Sequence, residues 1–338
     1  MTLTDSEFSL LNDWQRDFPL VERPYAVLAE KLGTNEASVL RTLGRLTERG
    51  HVSRIGAVFR PNVLGASTLA AVACPPARVE AVARLIDAYP EVNHNYEREH
   101  RYNLWFVVVA PTRADVTAVL DSIRRGTGLA PLDLPMLADF HIDLGFDLAS
   151  GKPGAGRAPH FDNAGRTVDA AELRAHLQSA DYCLAAALEE GLPLTPYPFA
   201  QLAARCGLDE AACIARIAEL QAHSIIRRFG VVVRHRELGY TANAMVVWDV
   251  PDARIESVGR RLAAQPAVTL CYQRPRRLPG WPYNLFSMVH GRDRAAVLAE
   301  LDAMRALPGL DDLPCQPLFS RRRFKQCGAR YSSLARTA

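Results

Sequence analysis

Lysine is nearly missing from this chain of 338 residues: Lys31, Lys152 and Lys325 are three among 40 basic side chains, and the rest are arginine. A GC-rich coding sequence would produce much of that bias. The remainder has chemical content, because a guanidinium fork grips a carboxylate at two points where an ammonium offers a point charge. The seven cysteines are an odd number with no Cys-x-x-Cys spacing, which excludes a disulfide framework, a structural zinc site and a ferredoxin-type cluster. No apolar run approaches the ~20 residues that span a bilayer, so no membrane partner is expected. The first residues, with Asp5 and Glu7 among few apolar side chains, lack the layout of a signal peptide, and a cytoplasmic protein is expected. Net charge is only +3, too mild to demand a nucleic-acid partner.

What the chain does contain is a second copy of itself. Tyr102-Asn103-Leu104-Trp105 returns as Tyr283-Asn284-Leu285-Phe286, and the stretch Arg54 to Arg60, closing on Leu64-Gly65, returns as Arg228 to Arg234, closing on Leu238-Gly239. A repeat longer than a hundred residues means two copies of one fold rather than a solenoid. Residues present in one copy alone then become candidates for divided chemistry.

Each copy opens with helical segments. Thr4 and Glu7 fit a capping box. The stretch Arg23 to Gly33 matches Tyr197 to Gly207, with proline at the helix start and glycine past its end. Val39, Leu40, Leu43 and Leu46 match Cys213, Ile214, Ile217 and Leu220 on one core-facing stripe. Helix, turn, helix and strand pair predict a winged helix-turn-helix over 1–52 and again over 179–226. The period then becomes extended. Strands at Thr68–Val72, Val92–Tyr96, Leu104–Ala110 and near Phe140, with helices over 77–89 and 113–125, give the βαββαβ order of a ferredoxin-like domain over 53–148, repeated over 227–338. A linker over 149–178, rich in Gly and Pro from Ser150 to Pro159, lets the copies dock as a pseudo-dimer, with a further homodimer left open. The class is therefore α+β, a tandem duplication.

That order resembles the leucine-responsive/AsnC transcription regulators, which taken alone implies DNA binding and, as an alternative function, regulation in response to a tetrapyrrole or other small molecule. The recognition-helix positions disagree. Arg41, Arg45 and Arg49 of the first copy face Asp209, Glu210, Glu219 and a single Arg216 in the second, and an acidic second copy spoils a symmetric reader.

The chemistry concentrates at one corner. Asn93 to Phe106 packs His94, Tyr96, Arg98, His100, Arg101 and Trp105 into a strand-turn-strand, and the second copy runs from Cys271 through Tyr272, Arg274 and Trp281 to His290. Tyr96 matches Tyr272 and Arg98 matches Arg274, whereas His94 aligns with Leu270. His51, His160, His176 and His223 read as solvated polar residues, and His141 and His235 are set aside.

The His-x-Tyr-x-Arg…Tyr-Asn-Leu-Trp-Phe corner, the Tyr-x-Arg…Trp-Pro-Tyr-Asn-Leu-Phe…His counterpart and the closing Arg323-Phe324-Lys325 resemble the sirohaem decarboxylases of haem d₁ biosynthesis. In this family two related subunits share the regulator fold, here fused in one chain. The resemblance covers essentially the whole length. It implies removal of two acetate carboxyls from sirohaem to give didecarboxysirohaem, with no cofactor beyond the substrate's own iron.

A pyrrole acetate loses carbon dioxide when the ring accepts the electron pair and a proton is delivered, and a near-neutral imidazole suits that delivery. His94 is the first candidate and His100 the second, with Tyr96 orienting or relaying. Arg54, Arg98, Arg228 and Arg274, and more weakly Lys325, are candidates to hold carboxylates. Trp105, Phe106 and Phe286 would supply a dry wall. Tyr272, Asn103, Asn284 and His290 join the candidate binding set, although the two asparagines equally suit strand-entry turns and His290 equally suits a satisfied core position. His94 or His290 could instead ligate the substrate iron.

Overall fold

The computed structural model describes residues 3–142, 148, 170–234, 238–239 and 242–328. Most of the expected linker, its Gly/Pro run and His160 included, lies outside the described residues, as does His235.

The first copy comprises α1 (Asp5–Asn12), α2 (Pro24–Lys31), α3 (Glu36–Glu48), β1 (Val52–Phe59), β2 (Ala66–Val72), α4 (Val79–Asp87), β3 (Val92–Arg98), β4 (Leu104–Ala110), α5 (Arg113–Thr127), β5 (Leu132–Leu134) and β6 (Ala138–Ile142). After α6 (Ala170–Arg174) the second comprises α7 (Ser179–Ala187), α8 (Pro198–Cys206), α9 (Glu210–Ala222), β7 (Ile226–Val233), β8 (Ala242–Trp248), α10 (Ile255–Ala263), β9 (Val268–Gln273), β10 (Leu285–Gly291), α11 (Arg294–Arg305) and β11 (Cys315–Gln326). The local signals act as their chemistry requires. Thr4 and Glu7 exchange the two hydrogen bonds of a capping box, and Pro198 and Gly207 bracket α8, the glycine at φ 66°.

Two strand pairings differ from the sequence expectation. The strand pair beside the helices is made between copies: β1 runs antiparallel to β7, Gly56 opposite Gly230. The loop after each first helix then seals the other copy's strand. Val231 N donates to the Trp14 carbonyl (2.7 Å) and Leu192 N to that of Ile55 (2.7 Å). Gly230 is required by this approach, since a Cβ there would sit 2.5 Å from the Gln15 carbonyl oxygen. Leu28, Leu43, Ile55, Phe199, Ile217 and Phe229 are buried in one helical core shared by both copies. The expected domain boundary at residue 52 falls where β1 begins, and Val52, Ile55, Ala57 and Phe59 pack into that helical core.

The second difference is in the last strand of each ferredoxin-like unit. It is divided between two sheets. β5 pairs with its own β2, but β6, the strand at Phe140, pairs with β9 of the second copy. In return β11 pairs with its own β8 along Cys315–Phe319 and with β3 of the first copy beyond Ser320. The resulting nine-stranded order is β5-β2-β4-β3-β11-β8-β10-β9-β6. Its two outer strands are joined by residues 135–137, so the exchange leaves each copy's sheet completed by the other. Helices cover the outer faces over cores that include Phe106 and Ile123 in one copy and Trp248 and Leu301 in the other. The inner faces meet around Trp105, Trp281, Phe286 and Leu318.

Candidate functional site

Period-2 alternation divides β3 into two faces. Asn95 points to the helices, its amide bonded to the Asp87 carboxylate (2.9 Å). His94, Tyr96 and Arg98 share the inner face. The His94 and Tyr96 rings stack at 6.3 Å, and the Arg98 guanidinium lies 5.7 Å from the Tyr96 ring centre. Cross-strand register carries this face onward. Arg98 is opposite Ser320, whose hydroxyl donates to the Asn243 side chain (2.6 Å), and Asn243 is opposite His290. Burial pushes both His94 and His290 down to about 4, helped by the charge of Arg54 on the first and of Arg98 on the second. Both rings are therefore neutral at neutral pH. Nδ1 of His94 meets the Asn93 side-chain oxygen at 2.9 Å; that oxygen only accepts, so Nδ1 carries the hydrogen and Nε2 presents its lone pair.

Arg98 and Arg274 cross between the copies. Nη1 of Arg98 donates to the Leu318 carbonyl (3.0 Å), and Nη1 of Arg274 donates to the Leu134 carbonyl at the matching place. Burial pushes Arg98 down to about 10 and lowers Arg274 as well. The Nε of each is buried without a hydrogen-bond partner, and no carboxylate among the described residues forms an ion pair with either. A buried guanidinium without a counter-ion costs several kcal/mol and favours an arriving anion. Arg274 is closed over by Tyr272, 4.6 Å from its ring centre.

The repeated Tyr-Asn-Leu-aromatic motif is scaffold. Asn103 exchanges both amide hydrogen bonds with the backbone of Cys74 (2.9 and 2.8 Å), and Asn284 does the same with Val250 (3.0 and 2.8 Å). The structure thus spends on the chain two side chains that the sequence reading placed in the binding set. Trp105 is buried with Nε1 donating to the Tyr102 carbonyl (2.6 Å), and Phe106 faces the helices, not the inner face. Five residues more in the second copy's β9–β10 turn bring in Trp281, wholly buried and 5.1 Å from Trp105. No partner for Trp281 existed in the first copy, so the repeat gave no signal for it.

His100 stands apart from His94. It follows Arg98, ~13 Å along β3 from His94 at a strand rise of ~3.3 Å per residue. Its Nδ1 accepts from Tyr102 N (3.0 Å) and its ring meets the Trp281 ring edge-on at 5.4 Å; burial lowers its pKa. Lys325 is also elsewhere. It lies opposite Asn95 on the helix side, with Nζ donating to the Asp87 and Tyr89 carbonyls (2.8 and 3.0 Å). Lys325 therefore closes the end of α4 instead of joining the arginines.

Arg54 and Arg228 project from the face of the β1–β7 pair opposite the helical core, Arg54 beside His94 and Arg228 buried opposite Val58. Arg216, the basic residue of the second recognition helix, is spent inside the protein. It makes a bidentate pair with buried Asp181 (2.7 and 2.6 Å) and also bonds Glu219 (2.6 Å). Among the described residues no group of His, Cys, Asp and Glu could hold a metal ion, and no helix is long and apolar enough to cross a membrane.

Comparison with known proteins fits this geometry. The model of the siroheme decarboxylase NirDL-like HTH domain matches residues 7–52 and 184–227, and that of the AsnC-like ligand binding domain matches 64–141 and 237–325. The siroheme decarboxylase NirDL subunit of Paracoccus denitrificans is 47% identical, over 99% of this chain and all of that protein. A crystal structure of the siroheme decarboxylase NirDL superposes with a TM-score of 0.68 at 28% identity, covering 98% of this chain and 96% of that one. A second, of NirDL in complex with an iron-uroporphyrin III analogue, gives 0.66 at 27% over the same shares. The chain belongs to the siroheme decarboxylase family, in the fused form that carries both related halves.

Proposed function

We propose that this protein is a carboxy-lyase that removes two acetate carboxyls from sirohaem to give didecarboxysirohaem, a step of haem d₁ formation, using no cofactor besides the iron its substrate brings. The observation that carries the reading is a neutral imidazole, His94, on the same inner face as a buried guanidinium without a carboxylate partner, Arg98. Full-length relatives bearing the decarboxylase name, and one bound to an iron-uroporphyrin analogue, support the substrate class.

The chemistry needs three things from the chain. Arg98 and Arg54 hold carboxylates of the macrocycle that do not react. Neutralisation of Arg54 by one of those carboxylates removes the charge that adds to burial in keeping His94 deprotonated, so its pKa rises on binding and Nε2 takes up a proton. The bond from the acetate methylene to its carboxylate carbon then breaks, carbon dioxide departs, and the electron pair is delocalised into the pyrrole ring. Transfer of the Nε2 proton to the former methylene carbon leaves a methyl group. Tyr96, stacked against His94, holds the ring plane.

Anaerobic incubation with sirohaem followed by mass analysis tests this. Two successive losses of carbon dioxide are expected. An unchanged mass with a shifted absorption band would instead identify a carrier, and salt-dependent retention of DNA a regulator.

A further inference from the structure

The strand β3 changes face at one residue. Val92 packs in the helix-side core, while His94, two positions on, stacks with Tyr96 on the inner face. Residues two apart on a regular strand share a face. A bulge makes the reversal: Val92 pairs with Val108 and His94 with Val107, so Asn93 is the extra residue between them. The main chain of the bulge is satisfied from the other half, where Cys327, just past β11, donates its N–H to the Asn93 carbonyl (2.9 Å). The Asn93 side chain is thereby set against its own neighbour's ring. Asn93 is only 6% exposed, and its side-chain oxygen stands 2.9 Å from Nδ1 of His94.

The second copy keeps the bulge and changes what it carries. Val268 pairs with Val289 and Leu270 with Met288, leaving Thr269 as the extra residue. Again the faces reverse, with Val268 in the helix-side core and Leu270 against the inter-sheet core. The Thr269 hydroxyl donates to the Met288 carbonyl (3.2 Å), so it closes on the backbone beside a side chain that needs no orienting. The amide oxygen and the imidazole occur together in one copy and are replaced together in the other.

We infer that Asn93 is the positioning residue of His94: seated in the bulge, its side-chain oxygen holds Nδ1–H and reserves Nε2 for the proton that the reaction moves. This rests on the reading of His94 as proton donor above. The imidazolium donates Nδ1–H to Asn93 while Nε2 gives up its proton, and the neutral ring left behind keeps the same Nδ1–H bond. No ring flip or tautomer exchange then separates one transfer from the next, which matters for an enzyme that removes two carboxyls in succession.

Long-range proton–nitrogen NMR of the full chain with labelled histidines, free of tetrapyrrole at neutral pH, reads the tautomer. The His94 signals are those missing from His94→Ala. The parent is expected to show Nδ1–H. Asn93→Leu, similar in size but without the acceptor, is expected to show Nε2–H, the form an unrestrained imidazole favours. Its kcat on sirohaem should fall about 10- to 100-fold at the parent's KM. Asn93→Asp supplies an acceptor again and is expected to return the Nδ1–H form and most of the turnover. An Nε2–H parent, or the parent's tautomer or kcat in Asn93→Leu, would overturn the inference while leaving the decarboxylase reading intact. Parent-like turnover in His94→Ala would overturn the proton-donor reading, and this inference with it.

Discussion

Arg98 donates from Nη1 to the carbonyl of Leu318, so one guanidinium of the first copy both faces the site and fastens the closing strand of the second. Replacement by Met removes that bond together with a buried charge that has no carboxylate partner, two effects of opposite sign on stability. The expected result is a urea midpoint near the parent's together with iron-uroporphyrin binding weakened by about tenfold or more. Parent-like iron-uroporphyrin affinity in Arg98→Met would remove Arg98 from the carboxylate holders.

His94→Ala is expected to bind sirohaem and to lose turnover by about 10²–10⁴-fold, the usual contribution of a positioned proton donor. Single-turnover rates on the bound complex separate the two effects. Parent-like turnover would remove His94 from the mechanism and shift attention to His290.

His94 and His290 are held down to about 4, against 6.5 for an unperturbed ring, so below that range's upper end the unfolded chain binds protons the folded chain refuses. The stability gained by keeping both rings neutral is whole above pH ~6.5 and is lost as pH falls toward 4. Urea midpoints measured across that window should fall, and should fall less steeply in His290→Gln. The same linkage makes polyanion binding proton-coupled: calorimetry in buffers of different ionisation enthalpy should register proton uptake.

Asn284→Ala leaves the Val250 backbone without its two partners and is expected to cost ~1–3 kcal/mol of stability with substrate KM unchanged. A raised KM at parent stability would return this asparagine to the binding set.

Much of this architecture is legible locally. The helix stripes, the caps, the strand positions and the corner bearing His94, Tyr96 and Arg98 follow from periodicity and from comparing the two copies. What is not legible is which strand meets which. Phe140 marks a strand by its own neighbours, yet nothing near it says that Asp139 and His141 pair with Tyr272 and Cys271 of the other copy; pairing is decided by tertiary geometry. Leu134 and Leu318 receive the arginines through main-chain carbonyls, which carry no side-chain signature. Lys325 has the charge of a carboxylate holder but falls on the helix face because its register partner is Asn95.

β11 is one uninterrupted strand that serves both sheets, and this has a consequence for assembly. Two separate subunits trading closing strands would have to meet in solution and would part on dilution. Tethered partners experience an effective concentration of ~mM whatever the abundance of the protein. Neither half then needs to recognise its own kind, and a half relieved of self-pairing is free to drift in charge and shape so long as it fits its one permanent neighbour.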